Sequence, residues 1–129
     1  MMLTKNKCFE PIHQSRWILR FKDYDIPEFT VMKISNLKHS NINGIMKWEK
    51  ITITLHDIIS ISNTKTIVEN LVDIPKIVIE KLDPIGVCVE TITICSNEMH
   101  VDFGKFDYKS DKLNRIKIRL SPTKVIVSQ

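Results

Sequence analysis

The sequence predicts a mainly β fold, an antiparallel sandwich or small barrel carrying one α-helix. Isoleucine and valine are abundant while glycine and alanine are scarce, a composition that suits strands better than helices. Short runs alternate apolar and polar residues, most clearly where Ile116, Ile118 and Leu120 alternate with Arg115, Lys117 and Arg119. Such alternation gives one buried and one wetted face. Reversal signals punctuate the runs: Asn43-Gly44, Asp83-Pro84-Ile85-Gly86 and the polar turn that follows Gly104. At 129 residues the chain reads as a single β domain over 15–129, preceded by a polar arm over 1–14 with Pro11 near its end.

The elements follow in order. Arg16 to Lys22 is a strand with Trp17, Leu19 and Phe21 on one face. Asp23-Tyr24-Asp25-Ile26-Pro27 is a turn, because its acids bond local backbone and Pro27 restricts φ. Phe29 to Ser35 is the next strand, and Asn36 to Gly44 is a polar connection. Ile45 to His56 is a long strand with Ile51, Ile53 and Leu55 on one face and Lys50, Thr52, Thr54 and His56 on the other. Trp48 is out of phase with that apolar set, so either a bulge intervenes or Trp48 serves a second surface.

Ser62 to Asp73 is the one helix. Ile67, Val68, Leu71 and Val72 form its apolar side, Ser62 or Asn63 caps it, and Pro75 blocks continuation. Lys76 to Leu82 and Val87 to Cys95 form a hairpin, and Met99 to Phe103, Leu113 to Leu120 and Lys124 to Ser128 complete the sheet.

The formal charge of +4 is a mild excess that permits an acidic partner or nucleic acid without demanding one. Cys8, Cys88 and Cys95 form no close pair and no CxxC, which suggests neither a disulfide framework nor a zinc site. Cys88 and Cys95 read as small apolar fillers, and assembly in a reducing cytoplasm fits. No apolar run reaches the roughly 18 residues of a membrane span, and Met1 to Glu10 lacks the apolar core of a signal peptide.

With glycine only at 44, 86 and 104, no phosphate-cradling loop can be built. His13, His39, His56 and His100 are isolated, and acid pairs such as Asp23/Asp25 and Asp107/Asp111 fall in turns, so the expectation is no catalytic residue, no metal and no cofactor.

Four segments, taken in order, resemble the tail tube proteins of contractile-tailed bacteriophages, a family related to type VI secretion tubes. They are Phe9-Glu10-Pro11 leading to Arg16-Trp17-Ile18-Leu19-Arg20-Phe21 with Ile26-Pro27 and Phe29; Lys47-Trp48-Glu49-Lys50-Ile51-Thr52-Ile53-Thr54-Leu55-His56-Asp57; Leu82-Asp83-Pro84-Ile85-Gly86-Val87-Cys88-Val89-Glu90; and Val101 through Asp111 followed by Leu113 to Leu120. Ser15 stands where the family favours Asn, and Lys50 where it favours Pro.

The resemblance implies a structural virion protein whose six-fold rings stack into the inner tube of a contractile tail, the conduit for DNA ejection. Strands of neighbouring subunits would join into one inner barrel. The implied partners are further copies of itself, the sheath, baseplate and terminator proteins, and a tape measure protein and genomic DNA in the lumen. The location would be the virion tail, assembled in the host cytoplasm.

On this reading Ile51, Ile53, Leu55, Ile116, Ile118 and Leu120 face the subunit core, and Trp17, Phe29, Trp48 and Phe103 lie in the core or in subunit contacts. Lys50, Thr52, Thr54, Arg115, Lys117 and Arg119 face the lumen or the sheath. Family lumens tend to be acidic, so the three cations either pair with acids such as Glu80 or Glu90, or point outward to the sheath. The 36–45 segment is short for a ring-to-ring hairpin, which leaves stacking through the arm and the 58–66 region, or a single-ring baseplate initiator or adaptor. A type VI-like tube shares the fold. A nucleic-acid-binding barrel using the basic strand with Phe103, Phe106 and Tyr108 is the remaining alternative.

Overall fold

A computed structural model describes residues 10–129, so the first nine positions of the expected arm lie outside the described residues. Strands β1 (Trp17–Phe21), β2 (Val31–Ile34), β3 (His39–Ile42), β4 (Ile45–Trp48) and β5 (Ile51–His56) precede helix α1 (Asn63–Glu69). Strands β6 (Ile77–Leu82), β7 (Cys88–Asp102) and β8 (Arg115–Ser128) follow. Six of them form one antiparallel sheet in the order β1-β6-β7-β8-β5-β2, curled into a nearly closed barrel, and β3–β4 is a separate hairpin. The mainly β fold with one α-helix is therefore the one the alternation pattern predicts.

Curvature comes from the two longest strands. The β7–β8 ladder runs from Thr91↔Ser128 to Asp102↔Lys117, and its register shifts between Cys95 and Met99. Pro122 sits opposite Ser96 at that irregularity, where a residue without an N–H is tolerated. Bulges bend a strand without ending it, so the segments expected as separate strands at 87–95 and 99–103 are one strand. Those expected at 113–120 and 124–128 are likewise one. β6 pairs only with Cys88–Ile94 of β7, and β5 only with Arg115–Leu120 of β8. The bent hairpin thus joins two half-sheets around one core.

That core is a set of cross-strand rows. Leu19, Ile79 and Ile92 align across β1, β6 and β7, as do Phe21, Ile77 and Ile94. In the other half-sheet Ile53 faces Ile118, Ile51 faces Leu120 and Leu55 faces Ile116, all six fully buried. Cross-strand apolar pairs of this kind are what hold a small sheet together.

Several local expectations are corrected. The strand expected from Phe29 begins at Val31, because Glu28–Thr30 form a 3-10 turn closed by Thr30 Oγ1 donating to the Pro27 carbonyl at 2.7 Å. The long strand expected over 45–56 breaks at Glu49–Lys50. Ile45–Trp48 instead turns back on His39–Ile42 through Asn43 and Gly44, both at positive φ. The helix is shorter than 62–73: Ser62 Oγ accepts from Lys65 N at 3.1 Å, but Asn70 ends the helix by donating its amide to the Thr66 carbonyl. Leu71 and Val72 consequently lie beyond it and are exposed, Val68 is on its flank, and only Ile67 of the expected apolar side is buried.

The residues read as a plain turn, 23–27, contribute Tyr24 and Ile26 to the core. Asp23 makes this possible by taking a positive φ of 72°, and the Tyr24 ring stacks on Phe21. Cys88 is exposed and fills no core space, whereas Cys95 is half-buried.

Candidate assembly surfaces

Three surfaces of the barrel are candidates for contact with other molecules. The first is the outer face of the half-sheet β2–β5–β8–β7. Pairing carries each residue's facing across the ladder, so Arg119 sits beside Thr52 and His100, Lys117 beside Thr54 and Asp102, and Arg115 beside His56. Lys33 of β2 pairs with Thr54 from the other side. The cations are exposed, while Thr54 between Lys33 and Lys117 is 3% exposed. The face is therefore a trough floored by threonines and walled by Lys33 on one side and Arg115, Lys117 and Arg119 on the other.

Acids do not neutralise these walls. Glu80 pairs with Arg20 at 2.6 Å and Glu90 with Lys81 at 2.7 Å, so neither meets the basic strand. The expected pairing of the strand with those two carboxylates, offered as the alternative to a face that points outward, is not found within the chain, because they belong to the other half-sheet. Among the described residues Lys33, Arg115, Lys117 and Arg119 form no ion pair. Lys50 differs. A hydrogen bond from His100, and then attraction to Lys50, hold the Glu98 carboxyl below the usual range, so Lys50 has an acid nearby. Asp102 accepts from Gly104 N at 2.9 Å.

The second surface is a strand edge. Because the β5 ladder stops at Leu120, Ser121–Ser128 has no strand in hydrogen-bonded register on that side among the described residues. Ile126 and Val127 on this segment are exposed on opposite faces, and Ile85, Val87 and Val89 are exposed at the neighbouring β6–β7 end. A bare edge flanked by apolar side chains recruits other strands. Reasoning from sequence missed this surface, although the unbroken Val125-Ile126-Val127 run was a signal, since a strand wetted on one face would alternate.

The third is the seam between the outermost strands. A groove lined by Trp17, Ile18 and Leu19 on β1 and by Phe29, Val31 and Met32 on the β2 side keeps the barrel from closing. Phe29 is 68% exposed and stands outside the core of the single chain. Trp17 and Phe103 pack against the core as partly buried neighbours. Trp48 lies on the β3–β4 hairpin, edge-on to His39 at 4.7 Å between ring centres. Phe106 and Tyr108 are fully exposed on the loop after β7, whose Lys105, Asp107 and Ser110 share a concavity with Arg115 and Lys117.

Among the described residues no group of His, Cys, Asp and Glu is placed to hold a metal ion. Among the described residues no helix is long and apolar enough to cross a membrane.

No family model and no curated protein matches the chain. Solved structures do share its fold. A chain of the sheath/tube terminator of an extracellular contractile injection system, PVC, in its extended state superposes with a TM-score of 0.65 at 18% identity, covering 93% of this chain and 98% of that one. A chain from the tube-terminating cap of the anti-feeding prophage, AFP, gives 0.61 at 15% identity over 99% of both chains. A chain of the extended PVC sheath-tube complex gives 0.59 at 18% identity over 99% and 98%. At these identities the likeness establishes a common fold spanning the whole domain.

Proposed function

We propose that the chain is a structural subunit of a contractile tail or injection apparatus, acting by assembly and not by catalysis. Its copies form six-fold rings that stack into the inner tube, and the genome passes through that conduit when the surrounding sheath contracts. The observation that carries this reading is the unpaired Ser121–Ser128 edge with exposed apolar residues on both faces. Closing a ring of subunits edge to edge would remove a feature that is a liability on a monomer. A fold shared end to end with chains of sheath-tube and terminator assemblies supports the same reading. Sheath, baseplate and terminator proteins are the expected partners, with a tape measure protein and DNA inside.

A second reading has its own support. The superpositions on terminator and cap chains score above that on the sheath-tube chain, and the β3–β4 hairpin is only four residues per strand. Both fit a single-ring terminator or adaptor that ends a tube.

Electron microscopy with light scattering across a concentration series tests both. Hollow tubes of uniform diameter are expected for the tube protein and isolated rings for the terminator. A strict monomer that also fails to add to preformed tube ends overturns both.

A further inference from the structure

We infer that the basic trough on the outer face of β2–β5–β8 is a docking site for an extended acidic segment of another protein. The trough is complete within one chain, so the inference stands apart from ring formation. Same-face residues on a strand recur every ~6.6 Å, which sets Arg115, Lys117 and Arg119 in a row. Lys33 stands two strands away across Thr52 and Thr54. A chain lying over the threonines places carboxylates at alternate positions against both walls. Arginine forks and lysine ammonium groups can take carboxylates from either side, and the Thr52 hydroxyl supplies a polar floor.

The chemistry favours an acidic peptide over nucleic acid. The face carries no Phe, Tyr or Trp, only the imidazoles of His56 and His100, and the exposed Phe106 and Tyr108 sit on the loop that leads into Arg115, so the trough has no large aromatic platform for bases to stack on. Asp102 and Glu98 rim the β7 side. A continuous polyphosphate would meet that rim with like charge, whereas a protein segment can set neutral or basic residues there. The partner would be a protein lying against the outside of the subunit.

Fluorescence anisotropy of the full chain tests this with a labelled peptide of alternating Glu and Thr, and with a labelled single-stranded oligonucleotide and a duplex of equal charge. The R115Q/K117Q/R119Q variant is compared with K22Q/K65Q/K76Q, which removes equal charge elsewhere. Thermal melts confirm that both variants fold, and Lys33→Gln alone supplies a milder check on the other wall. The peptide is expected to bind more tightly than either nucleic acid and to lose about tenfold in affinity with the β8 variant, while the control stays within about twofold. Preferential oligonucleotide or duplex binding that the β8 variant abolishes assigns the trough to nucleic acid and overturns the inference. Equal losses in both variants, or no peptide binding, reduce it to a solvated face and overturn it as well.

Discussion

The carboxamide of Asn114 occupies the space that a Cβ on Gly104 would need: such an atom would overlap the amide oxygen and lie 2.6 Å from Cγ. Asn114 is held there by its own bonds. Its amide nitrogen donates to the Phe103 carbonyl at 3.0 Å and to Asp57 at 2.8 Å, and its oxygen accepts from Lys105 N at 3.2 Å. One side chain thus ties the end of β7, the start of β8 and the segment after β5. Gly104 also has a φ of +98°, which a side chain disfavours.

Gly104→Ala is therefore expected to cost about 1–3 kcal/mol, and Asn114→Ala about 1–3 kcal/mol through its lost hydrogen bonds. The double variant is expected to cost less than the two together by at least about 0.5 kcal/mol, since removing the carboxamide makes room for the methyl. Denaturant unfolding of all four proteins measures the coupling. Strict additivity would mean that the two residues do not compete for space.

Truncating the central row separates core from edge. Ile53→Ala or Ile118→Ala, both at fully buried cross-strand partners, is expected to destabilise by about 2–5 kcal/mol. Ile126→Ala on the exposed edge is expected to shift stability by no more than about 0.5 kcal/mol. Comparable losses at all three sites would contradict the burial pattern.

Ile126→Lys tests the edge as a joint. A lysine on an edge strand blocks pairing by another strand, so light scattering is expected to lose assembled particles while the monomer's melting temperature is retained. Rings that form as readily in the variant would move the joint to another surface, the β1–β2 seam being the next candidate.

Tyr24 links the turn after β1 to the end of the helix: its hydroxyl lies 2.8 Å from the Asn70 carbonyl and 2.6 Å from that of Asp73. Burial, and then the Asp73 charge, raise its pKa above the ordinary phenol value. A raised pKa contributes stability that is fully present below the unfolded value and is lost as pH climbs through the folded one. Tyr24→Phe is expected to lose about 1–2 kcal/mol at neutral pH. Its stability is also expected to fall less steeply above about pH 10 than that of the parent. Unfolding curves from pH 8 to 11 give both numbers, and parallel alkaline slopes would detach Tyr24 from the alkaline loss.

Much of the inside of this barrel was legible from sequence. The inward positions of β5 and β8 follow from strict alternation, and Asn43-Gly44 marks a reversal that the structure contains. Less visible was the handling of Trp48. Its misfit with the phase of Ile51, Ile53 and Leu55 signalled a break, but only the pairing with His39 shows a separate hairpin. Tyr24 was hidden because turn chemistry in neighbouring acids says nothing about which ring the turn folds inward. Val68, Leu71 and Val72 misled for the opposite reason: helical spacing counts only while the helix lasts, and Asn70 ends it.

The candidate surfaces divide along the same line. Alternation is a property of the strand itself, so the existence of a basic stripe at Arg115, Lys117 and Arg119 was determined by the sequence alone. What stands beside that stripe depends on which strands pair with β8 and how far. Tertiary structure decided that Glu80 and Glu90 belong to the other half-sheet, that Lys33 forms the opposite wall, and that the β5 ladder ends at Leu120 and leaves Ile126 on a bare edge. Facing repeats every second residue and can be read locally, whereas pairing between residues distant in the chain is settled only when the whole sheet curls around its core.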